Sequence, residues 1–251
     1  ELRPLLFRLD QQNRQIQKQL EDLKNAESAR KEFTANVSHE LKTPLMSISG
    51  YAELMMNGMV PADKMQDFSG RIFHESERLS NLVADIIQLS RLDEKNGETM
   101  FEQVDIGELG EDVINNLQNR AAKKKINLEY TGESAQMQGV RHVLYEMFYN
   151  ITDNAIRYTP DGGDVKVFVG KLNGKPYFRV EDNGIGIPES EQQRIFERFY
   201  RVDKSHSRET GGTGLGLSIV KHGAVLHHAK ILLDSEPGKG TKMEILFDQT
   251  K

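Results

Sequence analysis

The chain contains no cysteine and no tryptophan among its 251 residues. Without cysteine it can form neither disulfides nor thiolate metal sites, and a reducing compartment is compatible with that absence. It has no run of roughly 18 apolar residues that could cross a bilayer, and no signal-peptide pattern at its start. Positive charge is not in excess either, because the formal net charge is -5. We therefore expect a soluble protein that does not bind nucleic acid.

Heptad spacing dominates the N-terminal part, which begins with Glu1 rather than with methionine. From this start we expect that an N-terminal region of a longer parent has been cut away. Apolar residues recur every seven positions, at Leu2, Leu9, Ile16 and Leu23. This spacing predicts a coiled-coil signalling helix over residues 1–27. Polar residues between these layers fit either a marginal helix or a rod that changes register, and the pattern leaves both open.

Two amphipathic helices follow and predict a helical hairpin over residues 28–96. The first ends at Asn57-Gly58, and the second starts near Ala62. In the first helix, the apolar positions expected to face the core are Val37, Leu41, Leu45, Ile48, Ala52 and Met55. Those of the second are Met65, Phe68, Ile72, Leu79, Leu82, Ile86 and Leu89. One hairpin leaves its apolar stripe without a partner, so a second copy would complete a four-helix bundle, and we expect a homodimer.

The sequence changes in character after the polar link at residues 93–99, and residues 97–251 predict a separate domain. Helical patterns over residues 106–123 and 140–157 alternate with strand-like runs. These runs cover residues 126–130, 165–169, 177–181, 230–234 and 242–247. The expected fold class is α+β, with helices packed on a mixed sheet.

His39 stands in the run Ser38-His39-Glu40-Leu41-Lys42-Thr43-Pro44. On a helix, His39 and Thr43 are four residues apart and share an exposed face. Glu40 could accept a hydrogen bond from one ring nitrogen, which leaves the other nitrogen as a nucleophile toward phosphorus. The chain has seven histidines, and for an arbitrary surface histidine a structural role is the more frequent one. The other six are given that structural interpretation.

Asn150 and Asn154 lie one turn apart on a helix whose inner side is otherwise apolar. Two carboxamide oxygens on one face can hold a hard cation such as Mg²⁺. Arg157 follows at the next turn, where it could meet a phosphate, and the ring of Tyr158 could meet a base. Helix capping or an ordinary polar surface explains this run equally well.

Two glycine-containing runs complete the candidate site. Asp182 follows a predicted strand and precedes Asn183-Gly184-Ile185-Gly186-Ile187, so its carboxylate suits an exocyclic amine such as that of adenine. A plain hairpin turn is the alternative. The second run, residues 211–216, leads into a helix whose N-terminus could bind phosphate, although a flexible linker has the same composition. Neither run matches G-x-G-x-x-G or the Walker ending, so dinucleotide and P-loop sites are not indicated.

Taken together and in this order, these motifs closely resemble a sensor histidine kinase of two-component signalling from about Ser28 to the end of the chain. Residues 39–44 are similar to the H box of that family, 150–158 to its N box, and 182–187 to its first glycine box. Ile195-Phe196-Glu197-Arg198-Phe199-Tyr200-Arg201 is similar to the F box, and residues 212–216 to the second glycine box. The chain departs from the family at His228-Ala229, where two glycines are frequent, which leaves the shape of one turn open.

The resemblance implies autophosphorylation of His39 by ATP, with Glu40 as base, and phosphotransfer to an aspartate of a response regulator receiver domain. It also implies phosphatase activity on that regulator, with Thr43 orienting water, and ATP in a Bergerat (GHKL) pocket with Asn150 and Asn154 near Mg²⁺. Residues 196–216 would form a lid over the phosphates. The implied nucleotide-binding residues are Asn150, Asn154, Arg157, Tyr158, Asp182, Gly184, Gly186, Ile187, Phe196, Arg198, Phe199, Tyr200, Arg201, Gly212, Thr213, Gly214, Leu215, Gly216 and Leu217.

Two other functions remain as alternatives. A GHKL-fold ATPase, similar to gyrase or mismatch-repair ATPases, commonly has glutamate at the first N-box position, whereas this chain has Asn150. A nucleotide-sensing scaffold would bind ATP without turnover. By resemblance alone, the full-length parent is expected in the cell membrane, with this chain as its cytoplasmic portion and no membrane contact except through the missing N-terminal region.

Overall fold

The computed structural model describes residues 2–93, 100–202 and 212–248. Contacts divide the chain into two compact units, Glu1–Ser80 and Asn81–Lys251. The expected boundary after residue 96 lies outside the described residues and stays a prediction. Among the described helices, none is both long enough and apolar enough to span a membrane.

The first unit is a helical hairpin. Helix α1 (Leu2–Met56) is continuous, as expected for a stretch that lacks glycine before Gly50. A short 3₁₀ helix, Ala62–Lys64, leads into α2 (Met65–Asp93), which continues into the second unit. Near the turn, the rings of Tyr51 and Phe68 pack edge to face with centroids 5.5 Å apart. The two predicted helices are therefore confirmed, with the second beginning three residues later than expected.

Leu45 does not face the core of its own hairpin. Its side chain is 54% exposed, whereas the neighbouring Pro44 is buried. This exposure agrees with the expectation that one hairpin leaves its apolar stripe without a partner. The stripe extends past the surface that one hairpin can cover. Other large apolar side chains exposed in this unit are Ile16, Leu23, Met46, Met56, Met59 and Phe73.

A five-stranded mixed sheet forms the centre of the second unit. The strands of this sheet are β2 (Asn127–Gly132), β4 (Asp164–Leu172), β5 (Lys175–Asp182), β6 (Ala229–Glu236) and β7 (Gly240–Phe247). Their order is β2-β4-β5-β7-β6, and of these neighbouring pairs only β2–β4 is parallel. All five predicted strands are present. Two further short strands, β1 (Glu102–Asp105) and β3 (Gln136–Gly139), pair antiparallel with each other and were missed.

In the described part of this unit, three helices cover the sheet: α3 (Ile106–Lys123), α4 (Arg141–Tyr158) and α5 (Gly216–Leu226). Phe148 of α4 stacks on Phe178 of β5 with ring centroids 3.9 Å apart, and both side chains are fully buried. Gly223 lets α5 approach α4, because a Cβ there would lie 2.4 Å from Sδ of Met147. The α+β sandwich of helices on a mixed sheet is confirmed.

The two adjacent histidines after α5 have structural roles. His227 is buried, and its Nε2 accepts a hydrogen bond of 3.0 Å from the backbone N–H of Val140 at the start of α4. Its Nδ1 donates to the carbonyl of Gly223 at 2.8 Å. His228 is exposed and has a φ of 51°, in the left-handed region. The turn that the family frequently builds with glycines is therefore made here with a histidine backbone in the same unusual conformation.

We expect His228→Gly to raise the free energy of unfolding of the second unit by about 1 kcal/mol, because a Cβ in a left-handed conformation costs about that much. Urea denaturation followed by circular dichroism measures the change. His228→Ala is the matched control, since alanine keeps the Cβ and should give no gain. Equal stabilisation by both substitutions would show that the backbone conformation of His228 carries no such cost.

Candidate functional site

Helix α4 brings the two asparagines of the N box to one face. Asn150 and Asn154 are half-buried there. The amide nitrogen of Asn150 donates to the carbonyl of Glu146 at 2.8 Å, so its Oδ1 is directed away from its own helix. That oxygen lies against Gly216, where a Cβ would be 2.4 Å from it. The first residue of α5 must therefore be glycine for the N box and the second glycine box to meet.

Asp182 is the last residue of strand β5, and the residues that follow it contact the end of α4. Its Oδ1 accepts a hydrogen bond of 2.9 Å from the backbone N–H of Gly184. The carbonyl of Tyr158 accepts from the N–H of Ile185 at 3.2 Å, and the side chain of Tyr158 is 40% exposed. Burial raises the pKa of the Asp182 carboxyl, while backbone donors from Gly184 and Thr241 oppose that rise. The arrangement leaves a half-buried carboxyl beside an exposed ring.

Residues outside the predicted set hold the first glycine box. The hydroxyl of Ser235 on β6 accepts from the N–H of Ile187 at 2.8 Å. The amide of Gln192 donates to the carbonyls of Ile187 and Ser235, at 3.1 and 2.9 Å. Gly186 has a φ of 68° and is half-buried. Ser235 and Gln192 were missed because nothing in their sequence neighbourhood distinguishes them from ordinary polar surface residues.

The second glycine box contacts the N box at a second point. A Cβ on Gly212 would lie 3.3 Å from Nη1 of Arg157, so the loop runs beside that guanidinium. The hydroxyl of Thr213 accepts from the N–H of Leu215 at 3.2 Å and donates to Oδ2 of Asp85 at 2.6 Å. Burial raises the pKa of Asp85. Leu215 is fully buried, which anchors the loop at the base of α5.

The F box lies beside this loop. The N–H of Phe199 donates to the carbonyl of Gly214 at 2.8 Å, and the hydroxyl of Tyr200 is hydrogen-bonded to the carboxylate of Glu191. Phe196, Arg198 and Arg201 of the box are half-buried, and so is Leu217 in the first turn of α5. Residues 203–211, the middle of the expected lid, lie outside the described residues.

Asp153 holds the guanidinium of Arg157. The carboxylate of Asp153 is only 7% exposed and accepts from Nη2 of Arg157 at 2.9 Å and from Arg120 of α3. Two guanidinium groups thus share one buried carboxylate, and Gly212 runs beside that of Arg157. A guanidinium held in this way suits a phosphate. The roles of Arg120 and Asp153 were missed, because the pairing joins α3 to α4 across the fold.

Lys124 closes the C-terminal end of α4. Its Nζ donates to the carbonyls of Ile156, Arg157 and Thr159, at 3.0, 2.9 and 2.5 Å. These are backbone oxygens that the end of a helix leaves without an internal partner, and a cation there also favours the helix dipole. Burial lowers the pKa of Lys124. Lys124 thereby fixes the last turn of α4, which carries Arg157 and Tyr158.

The residues around His39 lie in the first unit, on α1. His39 and Thr43 are exposed on one face, as predicted, and the Thr43 hydroxyl donates to the carbonyl of His39 at 3.2 Å. Oε2 of Glu40 forms an ion pair with Nη2 of Arg78 on α2, at 3.8 Å. The contact of Glu40 with the His39 ring stays a prediction.

The metal-binding capacity of the site lies in its amide oxygens. Within the described ranges, no group of three or more His, Cys, Asp or Glu side chains could hold a metal ion. Asn150 Oδ1 faces the glycine loop, and carboxamide oxygens are hard donors that suit Mg²⁺ together with phosphate oxygens. The donor set therefore fits a magnesium ion that is shared with a nucleotide.

Two sequence families match separate parts of the chain. Residues 139–251 match the family described as histidine kinase-, DNA gyrase B-, and HSP90-like ATPase. Residues 29–95 match the His Kinase A (phospho-acceptor) domain. The first match contains the N box, both glycine boxes and the F box, and the second contains His39.

Curated and solved relatives agree with these matches. The sensor-like histidine kinase SenX3 of Mycolicibacterium smegmatis is 38% identical over 216 residues, covering 86% of this chain and 56% of SenX3. The chain thus spans little more than half of that relative. The structure of the mycobacterial sensor histidine kinase MprB has a TM-score of 0.52 at 30% identity, covering 59% of this chain and 97% of that one. Full-length ShkA in complex with AMPPNP has a TM-score of 0.62 at 27% identity, covering 86% and 45%.

The chain belongs to the sensor histidine kinase family. Its N-terminal helices include the phosphoacceptor region, and its C-terminal α+β unit is an ATP-binding domain of the GHKL class.

We expect Lys124→Met to lower the free energy of unfolding of the second unit by about 2 kcal/mol, because hydrogen bonds from a charged donor contribute about 1.5–3 kcal/mol. Thermal and urea denaturation measure the loss. Lys123→Met is the matched control, since Lys123 is exposed and precedes Lys124 directly. Equal losses in the two variants would contradict the role assigned to Lys124 at the end of α4.

Proposed function

We propose that this chain is the catalytic core of a sensor kinase that transfers the γ-phosphoryl group of ATP to His39. The observation that carries the proposal is the exposed imidazole of His39, in a chain whose other unit is an ATP-binding domain of the GHKL class. An exposed neutral imidazole has a lone pair available for attack on phosphorus. The first N-box residue, Asn150, is not a carboxylate that could activate water, which favours transfer to a protein over hydrolysis.

The nucleotide would be held at three places in the second unit. Asp182 would accept from the adenine amine, and Tyr158 would cover the ring. Arg157, which Asp153 holds beside Gly212, would neutralise phosphate charge. The N-terminus of α5 offers backbone N–H groups next to Asn150, which suits phosphate oxygens. The support for these roles is that the segments contact one another: Tyr158 meets Ile185, Arg157 meets Gly212 and Asn150 meets Gly216.

Mg²⁺ would be held by Asn150 and Asn154 together with phosphate oxygens, and it would supply charge neutralisation during transfer. In the transfer itself, one ring nitrogen of His39 bonds to the γ-phosphorus while the bond to the ADP oxygen breaks. The proton on the other ring nitrogen passes to Glu40 as base. Arg78, at 3.8 Å from Glu40, would fix the direction of that carboxylate. Positioning and charge neutralisation supply most of the catalysis in such reactions.

We also propose a homodimer through the helical hairpin, with a response regulator receiver domain as the partner that takes the phosphoryl group onto an aspartate. The exposed Leu45, Met56 and Phe73 support the dimer, because a single hairpin leaves these apolar side chains in water. Thr43, exposed one turn after His39, would orient a water molecule when the phosphorylated regulator is hydrolysed.

The kinase assignment is tested by incubating the purified chain with γ-labelled ATP and Mg²⁺. We expect acid-labile, base-stable label on the wild type and none on His39→Gln, because the phosphoramidate forms on that ring. His74→Gln is the matched control, since His74 is also an exposed helical histidine next to a glutamate.

Label on His39→Gln equal to that on the wild type would overturn the assignment of His39. Release of phosphate without any protein label would favour a GHKL-fold ATPase, and nucleotide binding without turnover would favour a sensing scaffold.

A second experiment tests the phosphatase role of Thr43. With a labelled response regulator as substrate, Thr43→Ala should slow phosphate release at least tenfold, since positioning of the attacking water contributes factors of about 10²–10⁴. Autophosphorylation of His39 serves as the control and should remain within about twofold, because Thr43 does not touch the nucleotide site in this proposal. An unchanged phosphatase rate would remove Thr43 from the mechanism.

A further inference from the structure

His222 is a half-buried residue of α5 that contacts one hydrogen-bond donor and one hydrogen-bond acceptor. Its Nε2 lies 3.0 Å from Nη2 of Arg198, and its Nδ1 lies 2.7 Å from the carbonyl oxygen of Ser218. A guanidinium can only donate and a carbonyl can only accept. These partners assign the proton to Nδ1 and the lone pair to Nε2, so Nε2 accepts from Arg198.

The contact joins the F box to helix α5. A second bond joins the F box to the residues just before the same helix, because the N–H of Phe199 donates to the carbonyl of Gly214 at 2.8 Å. Phe199 has a φ of 64° and Gly214 one of 75°, and a Cβ on Gly214 would lie 2.9 Å from the Phe199 backbone. One backbone bond and one side-chain bond thus hold the F box against α5 and the residues that precede it.

The bridge is anchored to the nucleotide site through the first turns of α5. His222 bonds to the carbonyl of Ser218, and the hydroxyl of the buried Ser218 bonds to the carbonyl of Leu215 at 2.7 Å. The next residue, Gly216, lies against Oδ1 of Asn150. The position of Arg198 is therefore fixed relative to the helix that carries the N box.

We propose that His222 is a positioning residue for ATP binding, which holds Arg198 so that the F box and the start of α5 stay together on the phosphate side of the site. The inference rests on the proposed function in that the ligand is ATP. The energetic reason is that fixing the F box relative to α5 costs conformational entropy. A bridge within the protein that fixes the two reduces the part of this cost that falls on binding.

Two substitutions separate the two hydrogen bonds of His222. In histidine, Nδ1 is two bonds from Cβ and Nε2 is three bonds away. His222→Asn keeps a donor at the nearer position for Ser218 but cannot reach Arg198. His222→Gln places an amide oxygen at the farther position and can still accept from Arg198.

The measurement is the affinity for AMPPNP with Mg²⁺ by isothermal titration calorimetry, with melting temperatures of all variants. We expect His222→Asn to bind about tenfold more weakly than the wild type, and His222→Gln to stay within about twofold, because only the former loses a hydrogen bond to a charged group. Equal affinities of the wild type and His222→Asn would overturn the proposal, and so would equal weakening by Asn and Gln. Absence of binding by the wild type itself would instead overturn the proposed nucleotide site.

A double-mutant cycle keeps the proposal testable if His222→Asn also lowers stability. In the Arg198→Gln background, His222→Asn should weaken AMPPNP binding by less than about twofold, since its partner is already gone. The same tenfold loss in that background would show that His222 acts through another route and would overturn the positioning role.

Discussion

The close approach of α4 and α5 is the constraint on which the nucleotide site depends. Gly216 and Gly223 occur seven residues apart on α5, and a Cβ at either position would lie 2.4 Å from an atom of α4. Gly216 lies against Asn150, so the same helix packing that forms the core also brings the N box to the second glycine box. The positions of these two segments therefore depend on how α4 and α5 pack.

Buried charges then fix the side chains around this contact. Asp153 joins Arg120 of α3 to Arg157 of α4, and Lys124 binds the carbonyls at the end of α4. The Asp153 carboxylate would be costly to bury alone and is tolerated because it is paired. The same pairing that stabilises the domain thus directs Arg157 toward the glycine loop, where a phosphate would need it.

Much of this architecture follows from local sequence patterns. The helix over residues 106–123 and the five strands of the main sheet were predicted because their periodicity is strong. Strands β1 and β3 were missed because each has four residues, mostly polar, and forms only by pairing with the other. The N-box and glycine residues were predicted from spacing, whereas Lys124 and His222 act through contacts between distant segments. Leu45 lies on the part of the apolar stripe that a single chain leaves uncovered, as the pattern of the two helices predicted.

The central claim is that the two units serve one reaction, in which ATP held by the second unit phosphorylates His39 of the first. Mass spectrometry of peptides from the chain, after incubation with ATP and Mg²⁺ and digestion at neutral pH, tests it most directly. The account predicts a single phosphorylated histidine in the peptide that contains His39, and its disappearance when Asp182→Asn removes the adenine contact. A phosphate on any other residue, or one on His39 that persists unchanged in Asp182→Asn, would contradict it.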